Sequence, residues 1–224
     1  MAVRLNKQEV LARLKASEVV AILRAESPDG LIEVAQALAR GGVEFVEITL
    51  TVPGALAVIS HAVTVLGNKV VIGADTVLDA AAARAAIQAG AGYIISPAVR
   101  PAVIEACRQQ DIACMPGAMT PTEVLEAWEL GGGVIKIFPA NVAGPQFFRD
   151  LKGPYPQIAL MPSGAVNRET APQYIRAGAC AVGVGGELVS KSLLAGRDFD
   201  RISQNAADLV QVVKQAREQM RTGT

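Results

Sequence analysis

Two charged residues interrupt otherwise apolar runs, and both are types that do chemistry. Lys136 sits in Val134-Ile-Lys-Ile-Phe138, and Glu47 sits in Phe45-Val-Glu-Ile-Thr-Leu50. Short runs rich in branched aliphatics read as strands buried on both faces. Side chains alternate along a strand, so Lys136 shares its face with Phe138 while Ile135 and Ile137 form the other. The same period puts Phe45, Glu47 and Thr49 on one face and the aliphatic Val46, Ile48 and Leu50 on the opposite one. Both charges therefore point inward. A buried, unpaired ammonium is costly, so Lys136 needs either a partner or conversion to the neutral amine. One reading is a structural Lys136–Glu47 ion pair, although buried pairs are weak stabilisers. The other is chemical: Ile135, Ile137 and Phe138 provide apolar surroundings that favour neutral amine, which attacks a ketone to form an imine.

Two glycine-rich segments form the second candidate set. Met161-Pro-Ser-Gly-Ala-Val166 leads toward a helix beginning near Asn167, and Val182-Gly-Val-Gly-Gly-Glu187 opens another helical segment. Loops after the late strands of a parallel barrel, with backbone N–H groups at a helix start, commonly hold phosphate. Ser163, Gly164, Ala165, Gly185 and Gly186 are the candidates there. His61, the only histidine, lies in the helical stretch Val58-Ile-Ser-His-Ala62 and reads as a surface residue. One histidine excludes a Ser-His-Asp triad and a His-rich metal site. Cys107, Cys114 and Cys180 are scattered, with neither a disulfide framework nor metal-ligand spacing. Trp128 and Phe147-Phe148 read as core or interface.

Positioning these residues requires a parallel sheet. Eight apolar runs read as strands: Val19–Leu23, Phe45–Thr49, Val70–Ala74, Tyr93–Ser96, Ala113–Pro116, Val134–Phe138, Ile158–Met161 and Ala181–Val184. Helical patterns separate them, with start signals at Pro53 and in the capping box Thr120-Pro-Thr-Glu123. Gly42, Gly90, Gly132 and Gly178 stand where a helix stops on a left-handed residue before the next strand. The 224 residues thus read as a single α/β domain, 1–224, a (β/α)8 TIM barrel. An additional N-terminal helix lies near Lys7–Lys15, and a long helix near Phe199–Met220 closes the chain. An open doubly wound sheet is the alternative. Lys plus Arg and Asp plus Glu balance at 21 each, leaving no basic excess for nucleic acid or an anionic membrane. The polar start Met1–Lys7 does not read as a signal peptide. No uninterrupted apolar run of about 18 residues suggests a membrane span. A cytoplasmic location is expected.

The residues reached so far resemble the bacterial 2-keto-3-deoxy-6-phosphogluconate (KDPG) / 4-hydroxy-2-oxoglutarate (KHG) aldolases of the Schiff-base type. The matching stretches are Ala21-Ile-Leu-Arg-Ala25, Gly41-Gly-Val-Glu-Phe-Val-Glu-Ile-Thr-Leu-Thr51, Ile72-Gly-Ala-Asp-Thr-Val77, Ile95-Ser-Pro97, Met115-Pro-Gly-Ala-Met-Thr-Pro-Thr-Glu123 and Ile135-Lys-Ile-Phe-Pro139. They run in order over about Val19 to Val189. The resemblance implies a carbon–carbon lyase that reversibly cleaves a 4-hydroxy-2-keto acid to pyruvate and an aldehyde, as in the Entner–Doudoroff pathway. Lys136 would form the imine, and Glu47 would shuttle protons. Thr76 would bind the pyruvyl carboxylate, with Pro97 and Phe138 as the apolar wall. No cofactor or metal is implied beyond the covalent imine at Lys136, and the typical assembly is a homotrimer.

Three departures stand out. Thr51 occupies a position where many relatives have arginine, and Arg24 is the candidate to supply that charge. Gly-Ala-Gly-Thr has become Gly-Ala-Asp-Thr, which sets Asp75 beside Thr76. In the late loops Gly186 replaces a usual serine, and Glu187 would repel a phosphate if it faced the pocket. Two rival readings follow: an aldolase for an unphosphorylated sugar acid, and a catalytically silent trimeric scaffold. Retention of both Glu47 and Lys136 speaks against the second.

Overall fold

The structure, a computed structural model, describes residues 5–222. Met1–Arg4, part of the segment tested for a signal peptide, lie outside the described residues, as do Gly223 and Thr224. The chain alternates strands and helices almost throughout. The strands are β1 (Val19–Leu23), β2 (Phe45–Thr49), β3 (Val71–Asp75), β4 (Tyr93–Ile95), β5 (Ala113–Met115), β6 (Gly117–Ala118), β7 (Ile135–Ile137), β8 (Leu160–Pro162) and β9 (Val182–Val184). The helices are α1 (Lys7–Ser17), α2 (Leu31–Arg40), α3 (Ala55–Leu66), α4 (Ala80–Gln88), α5 (Pro101–Arg108), α6 (Pro121–Glu129), α7 (Ala140–Lys152), α8 (Ala171–Arg176), α9 (Lys191–Ala195) and α10 (Phe199–Thr222).

Among the described residues the strands form two parallel sheets, ordered β5-β4-β3-β2-β1-β9 and β6-β7-β8. They meet at both edges. The expected fifth strand, Ala113–Pro116, ends as β5 at Met115, because Pro116 has no N–H to give to a ladder, and a further short strand, β6, follows that the sequence reading did not include. At the other edge Ser163 pairs with Gly183 in an isolated parallel bridge. The result is a strongly curled parallel sheet with helices outside it.

Alternation sorts the side chains into two separate apolar clusters. Val46, Ile48, Ile72, Ala74, Ile94, Ile135 and Ile137 face outward into the layer shared with the helices. Val20, Phe45, Val71, Tyr93, Val134 and Met161 form the inner cluster, into which α1 inserts Val10 and Leu14. The N-terminal helix therefore closes the N-terminal end of the sheet, leaving the C-terminal strand ends for chemistry.

Local signals behave mostly as the sequence suggests. Thr120 Oγ1 accepts the Glu123 N–H at 3.3 Å, and the Glu123 carboxylate accepts the Met119 and Thr120 N–H groups at 2.8 and 2.9 Å. Those bonds, led by the one from Met119, hold the Glu123 carboxyl below its usual range. One expected stop moves: Gly131, at φ 104°, is the left-handed residue after α6, not Gly132. The helix ends a residue earlier, and Gly132 serves close approach instead, since a Cβ there would fall 2.7 Å from the Ala127 carbonyl oxygen. The expected helix near Asn167 starts at Ala171, after a turn in which the Asn167 carboxamide oxygen accepts the Thr170 N–H at 2.9 Å. The segment Gly185–Val189 is likewise a turn, with the Leu188 and Val189 N–H groups on the Gly185 carbonyl. No helix among the described residues is long and apolar enough to cross a membrane.

Candidate active site

Glu47 on β2, Asp75 at the end of β3 and Lys136 on β7 are 1%, 2% and 3% exposed. All three occupy inward positions. The Lys136 ammonium donates to Asp75 Oδ1 at 2.8 Å. The second oxygen, Asp75 Oδ2, accepts the Thr76 hydroxyl at 3.2 Å. The ion pair considered from sequence thus exists, but with Asp75 in place of Glu47. The amine is also not wrapped by Ile135 and Ile137, which belong to the outer cluster. It lies between the Asp75 carboxylate and the Phe138 ring, 5.4 Å from the ring centre.

Glu47 is left without a hydrogen-bond partner on either carboxyl oxygen among the described residues. Burial, and then the charge of Asp75, push its carboxyl well above the ordinary carboxylate range, outweighing the opposite pull of Lys136 and Arg24. A carboxyl held toward its protonated form, beside a paired ammonium and carboxylate, can give a proton as well as take one.

Sequence reasoning missed Tyr93 and Ser96. Gly73 lies between Glu47 and Tyr93 in the ladder, paired with the first on β2 and with the second on β4. A Cβ on Gly73 would fall 2.3 Å from the Tyr93 ring, so only glycine lets that ring lie across β3 toward the carboxyls. Phe45 holds the ring from below, centre to centre at 5.5 Å. Burial, followed by the charges of Glu47 and Asp75, pushes the Tyr93 phenol well above its usual range. The Tyr93 hydroxyl and Ser96 Oγ are buried without a hydrogen-bond partner among the described residues. The signal for Tyr93 was there: period two places a polar tip inward, opposite a glycine.

The remaining sequence candidates divide. Pro97 approaches Gly117, whose Cβ would meet the Pro97 carbonyl at 2.3 Å, and Gly117 pairs with Lys136. Phe138 packs on Gly164, whose Cβ would lie 3.3 Å from its ring. Ser163 is buried in the bridge that joins the sheets, and Gly164 and Ala165 follow it at φ 98° and 54°. Gly185 and Gly186 begin the loop after β9, with open space beside Gly186. Thr51 is exposed and tied to the inward Thr49 by a 3.0 Å hydroxyl contact. Arg24 is also exposed. It lines a cavity of about 620 Å³ with Ala25, Gly30, Ser190, Lys191 and Arg197, although its charge is felt at Glu47. Glu187 lines a cavity of about 420 Å³ with Gly186, Arg168, Arg201 and Asn205. His61 is exposed on α3. No group of three or more potential His, Cys, Asp or Glu metal ligands occurs among the described residues.

Known proteins resemble this one over nearly the whole chain. The 2-dehydro-3-deoxy-6-phosphogalactonate aldolase of Escherichia coli K12 is 34% identical over 199 residues, covering 88% of this chain and 95% of that protein. A subunit of a designed cube-shaped cage, built by fusing symmetric oligomeric domains, superposes with a TM-score of 0.86 at 32% identity, over 92% of this chain and 75% of that one. The 2-keto-3-deoxy-6-phosphogluconate aldolase of Zymomonas mobilis ZM4, solved with 3-phosphoglycerate, gives 0.82 at 27% identity, over 91% and 96%. The family model described as KDPG and KHG aldolase matches residues 10–205, and the chain belongs to that family of aldolases, which are lyases.

Proposed function

We propose that this chain is a Schiff-base aldolase that reversibly cleaves a 4-hydroxy-2-keto acid to pyruvate and an aldehyde. The observation that carries the reading is Lys136 itself, 3% exposed at an inward position, with Asp75 at 2.8 Å. Lys136 attacks the ketone and loses water to give a protonated imine. That cation takes the electron pair of the C3–C4 bond as a site carboxylate takes the proton of the C4 hydroxyl and the aldehyde leaves. Glu47 then protonates the enamine carbon, and hydrolysis returns pyruvate and free Lys136. Thr76 and Arg24 are the candidates to hold the carboxylate, Pro97 and Phe138 wall the pyruvyl group, and Thr51 stands at the rim. No metal takes part.

The substrate class is a 2-keto-3-deoxy-6-phospho sugar acid, with the gluconate and galactonate forms both in reach. The phosphogalactonate name of the E. coli relative and the 3-phosphoglycerate in the Z. mobilis structure favour a phosphorylated chain. Ser163, Gly164, Ala165, Gly185 and Gly186 would cradle that phosphate. Glu187 shares a cavity with Gly186, and Arg168 and Arg201 in that cavity would offset its charge beside the loop. The architecture belongs to the same proposal: residues 1–224 as one domain, the two sheets as arcs of a single (β/α)8 barrel, a homotrimeric assembly and a cytoplasmic setting. The oligomeric domains of the designed cage support an assembly. With a gluconate substrate the reaction would be the cleavage step of the Entner–Doudoroff pathway.

The deciding experiment is borohydride reduction with pyruvate, followed by peptide mass mapping. A reduced pyruvyl adduct should appear on the peptide holding Lys136, and Lys136→Ala should lose both adduct and turnover. An adduct on Lys152 or Lys191 would refute the assignment.

A further inference from the structure

Asp75 touches the reacting nitrogen, yet the resemblance implies glycine at its position. Its carboxylate is anchored on both oxygens, one by Lys136 at 2.8 Å and the other by Thr76 at 3.2 Å. Thr76 adopts φ 63°, an uncommon conformation for a β-branched residue. Lys136 and Asp75 side chains are 4% and 3% exposed, so bulk water is a poor proton acceptor for this ammonium. Among the described residues, the titratable groups that interact with the pair are Glu47 from β2 and Tyr93 from β4, and the charge of Arg24, after β1, is felt at Glu47.

We propose that Asp75 is a catalytic residue of imine formation, taking the proton that Lys136 must lose and returning it when water leaves. The proposal rests on the Schiff-base reading. Proton transfer across the 2.8 Å contact turns a buried ion pair into neutral amine and neutral acid, a change that burial favours. The nitrogen lone pair then forms the bond to C2 of the keto acid. The carbonyl π pair moves to oxygen, which takes the Glu47 proton. The new N–C centre hands a proton back to the Glu47 carboxylate, leaving a neutral carbinolamine. Asp75 next protonates the carbinol oxygen, the C–O bond breaks, water departs, and the nitrogen pair closes the C=N bond. Asp75 ends as carboxylate counter-ion to the iminium. Three protons begin on nitrogen; one stays there and two leave in the water.

The rate of borohydride-trapped adduct at Lys136, measured against pH in a single turnover with pyruvate, tests this. Asp75→Asn keeps the shape and an acceptor oxygen for Lys136 but cannot carry the proton. Trapping near about pH 7 should slow by roughly 10²–10⁴, the usual range for a lost general base. It should recover as pH rises, because solution base then removes the proton. Asp75→Gly opens room for a small carboxylate, and added formate should raise its trapping rate saturably. That second variant decides the matter if the first does not fold. An Asn variant with the unmutated rate and pH profile refutes the proposal, as does a slow Gly variant that formate leaves unmoved. If the unmutated protein forms no adduct on Lys136, the Schiff-base reading itself fails. A normal adduct with normal rates in both Asp75 variants sinks only the role of Asp75.

Discussion

Replacing Glu47 with glutamine should change how stability depends on pH, not only how fast the enzyme turns over. The carboxyl is 1% exposed, has no hydrogen-bond partner among the described residues, and sits well above its ordinary value of 4.5. Above 4.5 the unfolded chain has released this proton while the folded protein still holds it. Folding therefore binds a proton there, and stability falls as pH rises from that value toward the raised folded one. Below 4.5 both states are protonated and the burden disappears. One protonation step is worth about 1.4 kcal/mol per pH unit, which sets the steepest slope available. Glutamine is nearly isosteric and never ionises, so the variant lacks this slope. It adds only a pH-independent cost of about 1–3 kcal/mol for unsatisfied amide groups. Urea unfolding of both proteins at matched protomer concentration, from about pH 5 to pH 8, gives the difference directly. Relative to the unmutated protein the Gln variant should gain stability with pH, by up to about 1.4 kcal/mol per unit. A flat difference across that range would mean that Glu47 ionises normally, and the buried-acid argument would fall. In the same variant, pyruvate deuterium exchange should slow by about 10²–10⁴ if Glu47 carries the proton.

Two further substitutions probe the walls of the site. Gly73→Ala would place a methyl 2.3–2.6 Å from three Tyr93 ring carbons, so it should cost about 1–3 kcal/mol or more, read as a lower urea midpoint. An unchanged midpoint would mean that the Tyr93 ring moves freely and does not frame Glu47. Glu187→Ala should leave KM for a phosphorylated substrate unchanged, because Arg168 and Arg201 line the same cavity beside Gly186 and offset its charge. A lower KM would put its charge at the phosphate.

Much of the fold was legible because period two and helix stops are local. The bounds of β1 and β2 match the sequence reading, and the inward direction of Lys136 and Glu47 follows from alternation alone. Asp75 was legible in direction too: Val71 lies in the inner cluster and Ile72 and Ala74 in the outer one, so the next residue points in. Its partner was not. β3 and β7 lie in different sheets, and which inward side chains meet depends on how the strands are staggered across the interior. Alternation gives the face of a residue and says nothing of its height. The break at Pro116 shows a different limit. Proline removes a ladder donor, yet the run through Pro116 still reads as apolar, so hydrophobicity carried β5 one residue too far and gave no sign of the two-residue β6.

The vertical division of the interior explains why the charges can be afforded where they are. Below, the inner cluster is built of apolar side chains, with the Tyr93 ring among them, and α1 seals it with Val10 and Leu14. Above, the polar atoms that lack partners among the described residues are Glu47, Tyr93 and Ser96, all from β2 and β4 or the residue after it. Buried polar groups left unpaired are costly, and folded proteins carry few of them. Their concentration beside one ion pair marks the upper interior as a place where stability is given up for chemistry. An ordinary structural ion pair would not need that company. Apolar replacement of Lys136 and Asp75 together would remove two buried charges and should not weaken the fold as removal of either alone would. On the proposed mechanism, what such a protein would lose is the amine, and with it the reaction.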